Sequence, residues 1–318
     1  MRFTAALLAS TAAAFSTTSK YMQYMAEHGK SYLTKEEFQA RKALFAVADE
    51  FVESHNQTNA NFTVGHNKFS DMSESEKASY RGRIPKAAKT GETRSFSTLN
   101  LPESVDWRGT CVNAIRDQGQ CGSCWAFSSV ASLEGAHCVA TGTLAQFSEQ
   151  QLVDCAYIQY GNFGCNGGLE DNAFKYYESN DAMYESDYSY NATKGSCQYS
   201  AGQATTVQVS DYLDVTANSE SQVKAAIAQQ PISVAIQANQ MVFQLYTSGI
   251  FDNTKCGDNL DHAVALVGYG TEGGQDYYIL RNSWGTTWGE SGYMRIADNG
   301  DGAGICGVQS AAVYPTTN

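Results

Sequence analysis

The segment Gln118-Gly-Gln-Cys121-Gly-Ser-Cys124-Trp125-Ala-Phe-Ser128 is the most informative part of this 318-residue chain. Apolar residues recur at helical spacing from Cys124 to Ala140, and Gly142 suits a C-cap, so the segment predicts a loop that opens a helix at Cys124. A helix N-terminus lowers the pKa of a thiol, because the helix dipole favours the thiolate. Cys124 is therefore a candidate nucleophile.

The pair Cys121-x-x-Cys124 has two other chemical interpretations. It could be half of a zinc site, but no second C-x2-C pair and no His pair lie nearby in the sequence to complete four ligands. It could be a thioredoxin-like redox pair, but that motif follows a strand, and residues 116–119 have the composition of a loop. Both remain open as less favoured alternatives to a nucleophile.

A thiolate at acid pH needs a nearby cation, since the helix dipole contributes at most about 2 kcal/mol. Of the five histidines, three lie within the first 66 residues, and His137 is thirteen residues along the predicted helix from Cys124, about 20 Å by helical rise. His262, at the head of an apolar strand, remains. Asn282 follows twenty residues later, and Trp284 after it; an Asn oxygen can orient an imidazole, and a Trp can shield that bond.

Taken together, these residues resemble the papain-like cysteine proteases, specifically the cathepsin L group. The family signature C-G-[SA]-C-[WY] matches Cys121–Trp125, and the expected His and Asn stand 138 and 158 residues after Cys124. Residues 101–108 resemble a mature N-terminus, and residues 165–168 and 282–289 match two further motifs. The resemblance implies an α+β fold with a helical left lobe, a β-barrel-like right lobe and an active-site cleft between them.

The resemblance also implies a role for each catalytic candidate. Cys124 would be the nucleophile, and His262 would be its ion-pair partner and then the general acid. Asn282 would orient His262, with Trp284 covering that bond. The Gln118 amide and the Cys124 backbone N–H would form an oxyanion hole. The implied activity is cysteine endopeptidase cleavage of proteins and peptides without a metal or cofactor; a catalytically silent papain-fold protein or a propeptide-type inhibitor is the alternative.

Substrate choice in this family depends on the pocket for the P2 residue, the second residue before the scissile bond. Gly167 and Gly168 would bind the substrate backbone. Motif spacing assigns the pocket walls and floor to six residues: Leu169, Glu170, Ala235, Leu260, Ala263 and, as the floor, Ala311. The small floor predicts a deep apolar pocket that prefers Phe or Leu and cleaves Arg-Arg substrates weakly. Glu170 is the exception and is expected either to face solvent or to attract a basic side chain to the rim.

Nine cysteines fall between Cys111 and Cys306, an odd number that leaves one unpaired. The resemblance pairs six of them and leaves Cys124 free. The two other cysteines are predicted to form a fourth bridge, with two buried free thiols as the alternative. The expected pairs are Cys121–Cys165, Cys155–Cys197, Cys256–Cys306 and Cys111–Cys138.

The first hundred residues differ from the rest. Residues 1–16 have the pattern of a secretory signal peptide. Residues 17–100 resemble the family's inhibitory propeptide: Glu37 to Asn56 follows its interrupted helix motif, with Ala48 and Val52 departing, and 65–71 matches its second motif. A helix is expected over 20–55 and a cleavable linker over 81–97. The mature domain would span 101–318, with the helical lobe at about 111–212 and the sheet lobe at about 213–318.

Charge is distributed just as unevenly. The chain carries a net charge of −12, but residues 1–100 hold 13 basic and 10 acidic side chains, whereas 101–318 hold 8 and 23. The acidic balance argues against nucleic-acid binding, and no apolar run reaches the ~20 residues of a membrane helix.

The resemblance implies a monomeric mature enzyme with its own propeptide as inhibitor and cystatin-type inhibitors as candidate partners. We expect the secretory pathway, ending in a lysosome, a food vacuole or secretion; candidate glycan sites are Asn56, Asn61 and Asn191.

Overall fold

The computed structural model describes residues 17–58, 61–86 and 93–318, so the predicted signal peptide at 1–16 lies outside the described residues. Two helices come first, α1 over residues 17–27 and α2 over Lys35–Thr58. The prediction of one helix over 20–55 was wrong, because Gly29 adopts a left-handed φ of 60° and the chain turns there. The two helices pack together around Tyr21, Tyr24 and Phe45.

The remaining helices lie on both sides of the domain boundary expected at residue 101. They are α3 (Glu74–Ala78), α4 (Cys124–Thr141), α5 (Glu149–Cys155), α6 (Glu170–Tyr177), α7 (Glu220–Ile227) and α8 (Met241–Gln244). Short 3-10 turns occupy Ile158–Tyr160, Gly164–Asn166, Thr254–Cys256 and Ile305–Gly307. Within the described ranges, no helix combines the length and the apolar character needed to cross a membrane.

Ten strands form a continuous sheet. They are β1 (Phe62–Val64), β2 (Thr93–Arg94), β3 (Val105–Asp106), β4 (Val209–Val215), β5 (Ile232–Ile236), β6 (Tyr246–Phe251), β7 (His262–Glu272), β8 (Gln275–Arg281), β9 (Tyr293–Ala297) and β10 (Ala312–Thr317). Their order is β1-β6-β9-β8-β7-β5-β10-β4-β2, with β3 added against β7. Both ends of the order, β1 and β2, belong to the first hundred residues, which therefore extend the sheet of residues 101–318 at each edge.

The helical lobe is built on α4, which begins at Cys124 and ends before Gly142, as the sequence predicted. Gly142 closes the helix in the left-handed conformation, with φ 72°. Ser148 caps α5 by accepting the N–H of Gln151. Almost every residue of α4 is buried, because the helix lies between the helical core and strand β7; the Ser128 hydroxyl donates to the carbonyl of Val264, 2.6 Å away.

The sheet lobe brings two distant parts of the chain together. β7 and β8 pair antiparallel with Ala265 opposite Arg281. Because of this register, the first residue of β7, His262, lies beside the residue that follows β8, Asn282. The sheet core also receives propeptide side chains, among them Phe69 and Tyr80. The fold thus joins both lobes and the propeptide around the start of α4 and the start of β7.

Four disulfides join the same cysteine pairs that the sequence analysis proposed. They are Cys111–Cys138, Cys121–Cys165, Cys155–Cys197 and Cys256–Cys306. The first ties the start of the mature chain to the last part of α4. Cys124 is the free cysteine that remains, and it is buried.

The three sequons lie in different environments. The amide of Asn56 is used on both sides, since its Nδ2 donates to the Val64 carbonyl at 2.8 Å and its Oδ1 accepts the Val64 N–H at 3.0 Å. Asn61 donates to Asp252 at 2.5 Å. Asn191 is exposed, and its Oδ1 accepts the N–H of Thr193 within the sequon. A glycan on Asn56 would cost the contact that links α2 to β1.

Candidate active site

Cys124 is the first residue of α4, and its side chain is fully buried. The backbone N–H of Gly82, from the propeptide, donates to its sulfur at 3.2 Å. The backbone N–H of Ala263, the residue after His262, also donates to the sulfur. Burial raises the pKa of the Cys124 thiol to about 12, an effect that outweighs the two N–H groups.

His262 is held by the two residues expected to hold it. Its Nε2 lies 2.9 Å from Oδ1 of Asn282. The Trp284 ring stacks on the imidazole, with centroids 4.7 Å apart and planes 25° from parallel. All three side chains are buried. The Asn282 oxygen therefore fixes the orientation of the ring, and Trp284 excludes water from that bond.

The thiol and the imidazole are both uncharged in this precursor. Burial lowers the pKa of His262 to about 3, and the nearby Arg81 guanidinium of the propeptide lowers it further, against the raising effect of Asn282. The Nδ1 atom of His262 is buried and has no hydrogen-bond partner among the described residues. The ion pair of Cys124 and His262 that the resemblance implied is therefore not the favoured state here, because the propeptide removes both groups from water.

Gln118 lies beside the start of α4 and is fully buried. Its Nε2 donates to the Cys121 carbonyl at 2.9 Å, and its Oε1 accepts the Ser283 hydroxyl at 2.6 Å. The second bond orients the amide, so its N–H₂ group points toward the loop that precedes Cys124. This position is compatible with an oxyanion hole formed by Gln118 and the Cys124 N–H.

Residues 80–86 of the propeptide run through the cleft over these groups. Gly168 donates its N–H to the Gly82 carbonyl at 2.8 Å and accepts the Ile84 N–H at 3.2 Å. Arg83, between them, forms an isolated parallel bridge with Gly168. The Tyr80 carbonyl accepts the indole N–H of Trp284 at 3.1 Å. The start of the expected 81–97 linker is therefore docked in the cleft, while residues 87–92 lie outside the described residues.

Basic side chains of the propeptide pair with acidic side chains of the mature domain along the same path. The pairs, with their N···O distances, are Lys68–Asp117 (2.7 Å), Arg81–Asp261 (3.1 Å), Arg83–Glu170 (3.4 Å), Lys86–Asp171 (2.5 Å) and Lys86–Asp214 (3.0 Å). In each pair the cation belongs to the propeptide. The charge asymmetry of the sequence thus corresponds to specific contacts at this interface.

The expected P2 pocket is only partly assembled from the predicted residues. Leu260 and Ala311 line a pocket that also holds Arg83 and Lys86 of the propeptide. Ala235 lies directly behind, donating its N–H to the Ala311 carbonyl at 3.0 Å. Leu169, Glu170 and Ala263 are buried, but none of them lines this pocket; the N–H of Ala263 faces the sulfur of Cys124 instead.

Glu170, which was predicted as a pocket wall, lies against a basic side chain of the propeptide. Its side chain is 5% exposed and lies against that of Arg83, which is 4% exposed. Facing solvent, one of the two options for Glu170, is therefore wrong for the precursor. Burial raises the pKa of Glu170, and the Arg83 guanidinium opposes that rise.

The sequence analysis missed the part of the propeptide that occupies the site. Gly82 covers Cys124, and Arg83 lines the side pocket, yet both were assigned to a linker. A glycine between two arginines, joined to an acidic mature domain, was the available signal. Only glycine fits there, because a Cβ on Gly82 would lie 1.9 Å from the carbonyl oxygen of Gly122.

Comparison with known proteins agrees with this geometry. Residues 101–316 match the family model described as papain family cysteine protease, and residues 21–76 match the cathepsin propeptide inhibitor domain. The chain is 44% identical over 306 residues to "Probable cysteine protease RD21B" of Arabidopsis thaliana. The aligned region covers 93% of this chain and 65% of the relative. It also spans 66% of the length of "Cysteine proteinase RD21A" of the same plant.

Two solved precursor structures are similar over nearly the whole chain. Digestive procathepsin L 3 of Tenebrio molitor larval midgut superposes with a TM-score of 0.84 at 37% identity, covering 94% of this chain and 99% of that one. The recombinant stem bromelain precursor superposes with a TM-score of 0.86 at 35% identity, covering 94% and 98%. Cleft geometry, family match and precursor structures agree, and the chain belongs to the papain family of cysteine proteases, with an inhibitory propeptide ahead of the peptidase domain.

Proposed function

We propose that the chain is the zymogen of a cysteine endopeptidase in which Cys124 is the nucleophile and His262 the acid–base partner. One observation carries this proposal. The only free thiol of the described residues stands at the start of α4, beside a histidine oriented by Asn282, in a cleft that the propeptide fills. A silent papain-fold protein would have no use for the full set of thiol, imidazole, Asn282 and Gln118.

Removal of the propeptide would convert the uncharged pair into its reactive form. With residues 80–86 gone, water reaches Cys124 and His262, and Arg81 no longer opposes a charge on the imidazole. A proton can then move from the thiol to His262, and the resulting imidazolium stabilises the thiolate at the N-terminus of α4. Asn282 keeps the ring in place during this transfer.

Peptide hydrolysis then follows in two steps. The Cys124 sulfur attacks the scissile carbonyl carbon, and the Gln118 amide and the Cys124 N–H stabilise the negative oxygen, an interaction type that contributes about 3–4 kcal/mol to the transition state. His262 gives its proton to the leaving amine as the C–N bond breaks, which leaves a thioester. Water, deprotonated by His262, attacks this acyl-enzyme and releases the carboxylic acid together with the Cys124 thiol.

The cleft supports an extended peptide as substrate. Gly168 offers one N–H and one carbonyl to a neighbouring backbone, as its contacts with Gly82 and Ile84 demonstrate for the propeptide. The apolar surface of Leu260 and Ala311 supports Phe or Leu at P2. The sequence has no adjacent His-His pair of the kind that closes one end of the cleft in cathepsin B-like enzymes. We therefore expect internal cleavage of polypeptides.

Acid release of the propeptide is supported by its ion pairs. Arg41 of α2 holds the pKa of Glu76 at about 2, below its usual 4.5. A carboxylate with a lowered pKa stabilises the fold above about pH 4.5, and its contribution is lost as the pH falls toward 2. Loss of the Arg41–Glu76 contact, which joins α2 to α3, therefore weakens the inhibitory segment as the pH falls.

The experiment is acid incubation of the purified precursor, with N-terminal sequencing of the product and a fluorogenic peptide assay. We expect a mature N-terminus near Leu101 and the appearance of peptidase activity. A processed product without thiol-dependent activity would contradict the proposal. The expected secretory route, to a lysosome, a food vacuole or the outside, is part of the same proposal and is tested by immunolocalisation.

A further inference from the structure

The ion pair of Arg83 and Glu170 is unusual among the propeptide contacts because both side chains are almost completely buried. The other cations that contact the mature domain, Lys68, Arg81 and Lys86, keep between 12% and 17% of their side-chain surface exposed. Burying a charge costs several kcal/mol unless an opposite charge is close. The side pocket of the cleft is therefore built to accept a cation.

This pocket is one that a substrate side chain would enter. Gly82 covers the Cys124 sulfur, and Arg83 is the next residue along an extended segment that pairs with Gly168. A substrate pairing with the same edge of Gly168 would place one side chain where Arg83 now lies, one residue away from the position over the sulfur.

The remaining surface of the pocket suits an arginine as a whole. Leu260, Val215 and Ala311 provide apolar surface for the methylene stem, while Glu170 faces the charged end. Asp214 also lines the pocket and pairs with Lys86 of the propeptide. Departure of the propeptide takes both cations away, which leaves Asp214 in the pocket, and Glu170 at the place that the Arg83 guanidinium occupied, without their partners.

We propose that Glu170 is a specificity-determining residue that makes the pocket accept a basic P2 side chain, arginine or lysine, as well as apolar ones. The proposal rests on the proposed endopeptidase function and revises the expectation of weak Arg-Arg cleavage. It follows from the Arg83–Glu170 contact, in which the propeptide places on the carboxylate the kind of side chain a basic substrate would supply.

The test compares kcat/KM of the acid-activated enzyme for two aminomethylcoumarin substrates, Arg-Arg and Phe-Arg, which differ only at P2. Glu170→Gln should lower kcat/KM for Arg-Arg by about ten- to a hundredfold, because a guanidinium in a mostly buried site would lose its opposite charge, and change Phe-Arg less than threefold. The matched control is Glu178→Gln, which removes the same charge from an exposed residue just after α6. It should leave both substrates unchanged.

A wild-type comparison covers the case in which Glu170→Gln does not fold. Citrulline is a neutral isostere of arginine, so replacing the P2 arginine by citrulline should lower kcat/KM about tenfold or more. The inference would be overturned by equal rates for arginine and citrulline, or by an unchanged Arg-Arg rate in Glu170→Gln. In either case, continued cleavage of Phe-Arg would leave the proposed endopeptidase function standing. Loss of cleavage of every substrate, with no epoxide labelling of Cys124, would contradict the proposed function instead.

Discussion

Replacing Gly82 by alanine should displace the inhibitory segment from Cys124 while leaving the sequence of the mature domain unchanged. A Cβ at this position would lie 1.9 Å from the Gly122 carbonyl oxygen, 2.4 Å from its carbon and 2.6 Å from its Cα. All three are backbone atoms beside the Cys121–Cys165 disulfide, so they cannot rotate away as a flexible side chain would. The inhibitory segment must therefore move outward from Cys124.

The size of the effect can be worked out from the contacts. Tolerating the overlap costs about 1–3 kcal/mol by analogy with overpacked cores. Moving outward instead loses two hydrogen bonds, from the Gly82 N–H to the Cys124 sulfur and from the Gly168 N–H to the Gly82 carbonyl, at about 1 kcal/mol each. The two routes together bound the destabilisation of the closed segment at about 1–3 kcal/mol. This raises the open fraction by about 5- to 140-fold, at 1.4 kcal/mol for each tenfold change.

The assay is the rate of iodoacetamide alkylation of Cys124 in the full precursor at neutral pH, followed by intact mass. The closed thiol has a pKa of about 12 and is buried, so alkylation proceeds through the open fraction. The control is Gly29→Ala, which strains a left-handed residue between α1 and α2 and has no atom within 4 Å of the new Cβ. It should weaken the propeptide fold but change alkylation little. Equal alkylation of wild type and Gly82→Ala would refute the reasoning.

Three further outcomes are expected. Salt or dextran sulfate should speed acid release of the propeptide, because both screen the interfacial ion pairs, and cleavage should fall within residues 85–101. The Cys124→Ala precursor should stay intact under the same conditions. If it were processed equally fast, a contaminating protease would be responsible. Cys138→Ser should lower the free energy of unfolding by about 3.5 kcal/mol, since the bridge to Cys111 closes a loop of 27 residues; separate alkylated peptides in an unreduced digest would rule the bridge out. Expression in a glycosylating host should modify Asn191, and mass spectrometry that finds it bare in every molecule would contradict its assignment as an accessible site.

Local sequence signals located the catalytic elements well. Apolar periodicity and Gly142 placed α4, and the strand that begins with His262 was recognised from its β-branched and apolar residues. The meeting of His262 and Asn282 is a consequence of the β7–β8 register, which is not local. Residue chemistry suggests Asn282 as a partner for His262, and the family resemblance supports the pairing, but nothing in either strand alone sets their relative register.

Non-local contacts explain what the sequence analysis missed. The segment at 80–86 looks like a linker because its stabilising partners, Gly168 and Glu170, are more than 80 residues away along the chain. The uncharged state of Cys124 and His262 depends on burial by that same segment. Both features are properties of the assembled precursor; the glycine between two arginines is a local signal for the segment, but it does not show where the segment docks.

The most direct measurement of the central claim is an active-site titration of the acid-activated protein with a peptidyl epoxide. Peptide hydrolysis and the mass of the protein are followed in the same samples. We expect activity to fall linearly to zero at one equivalent of epoxide, with the adduct on Cys124, the free thiol of the described chain. Activity that persists after Cys124 is fully modified, or a Cys124 that stays unmodified in the processed protein, would contradict its role as the nucleophile of a cysteine peptidase.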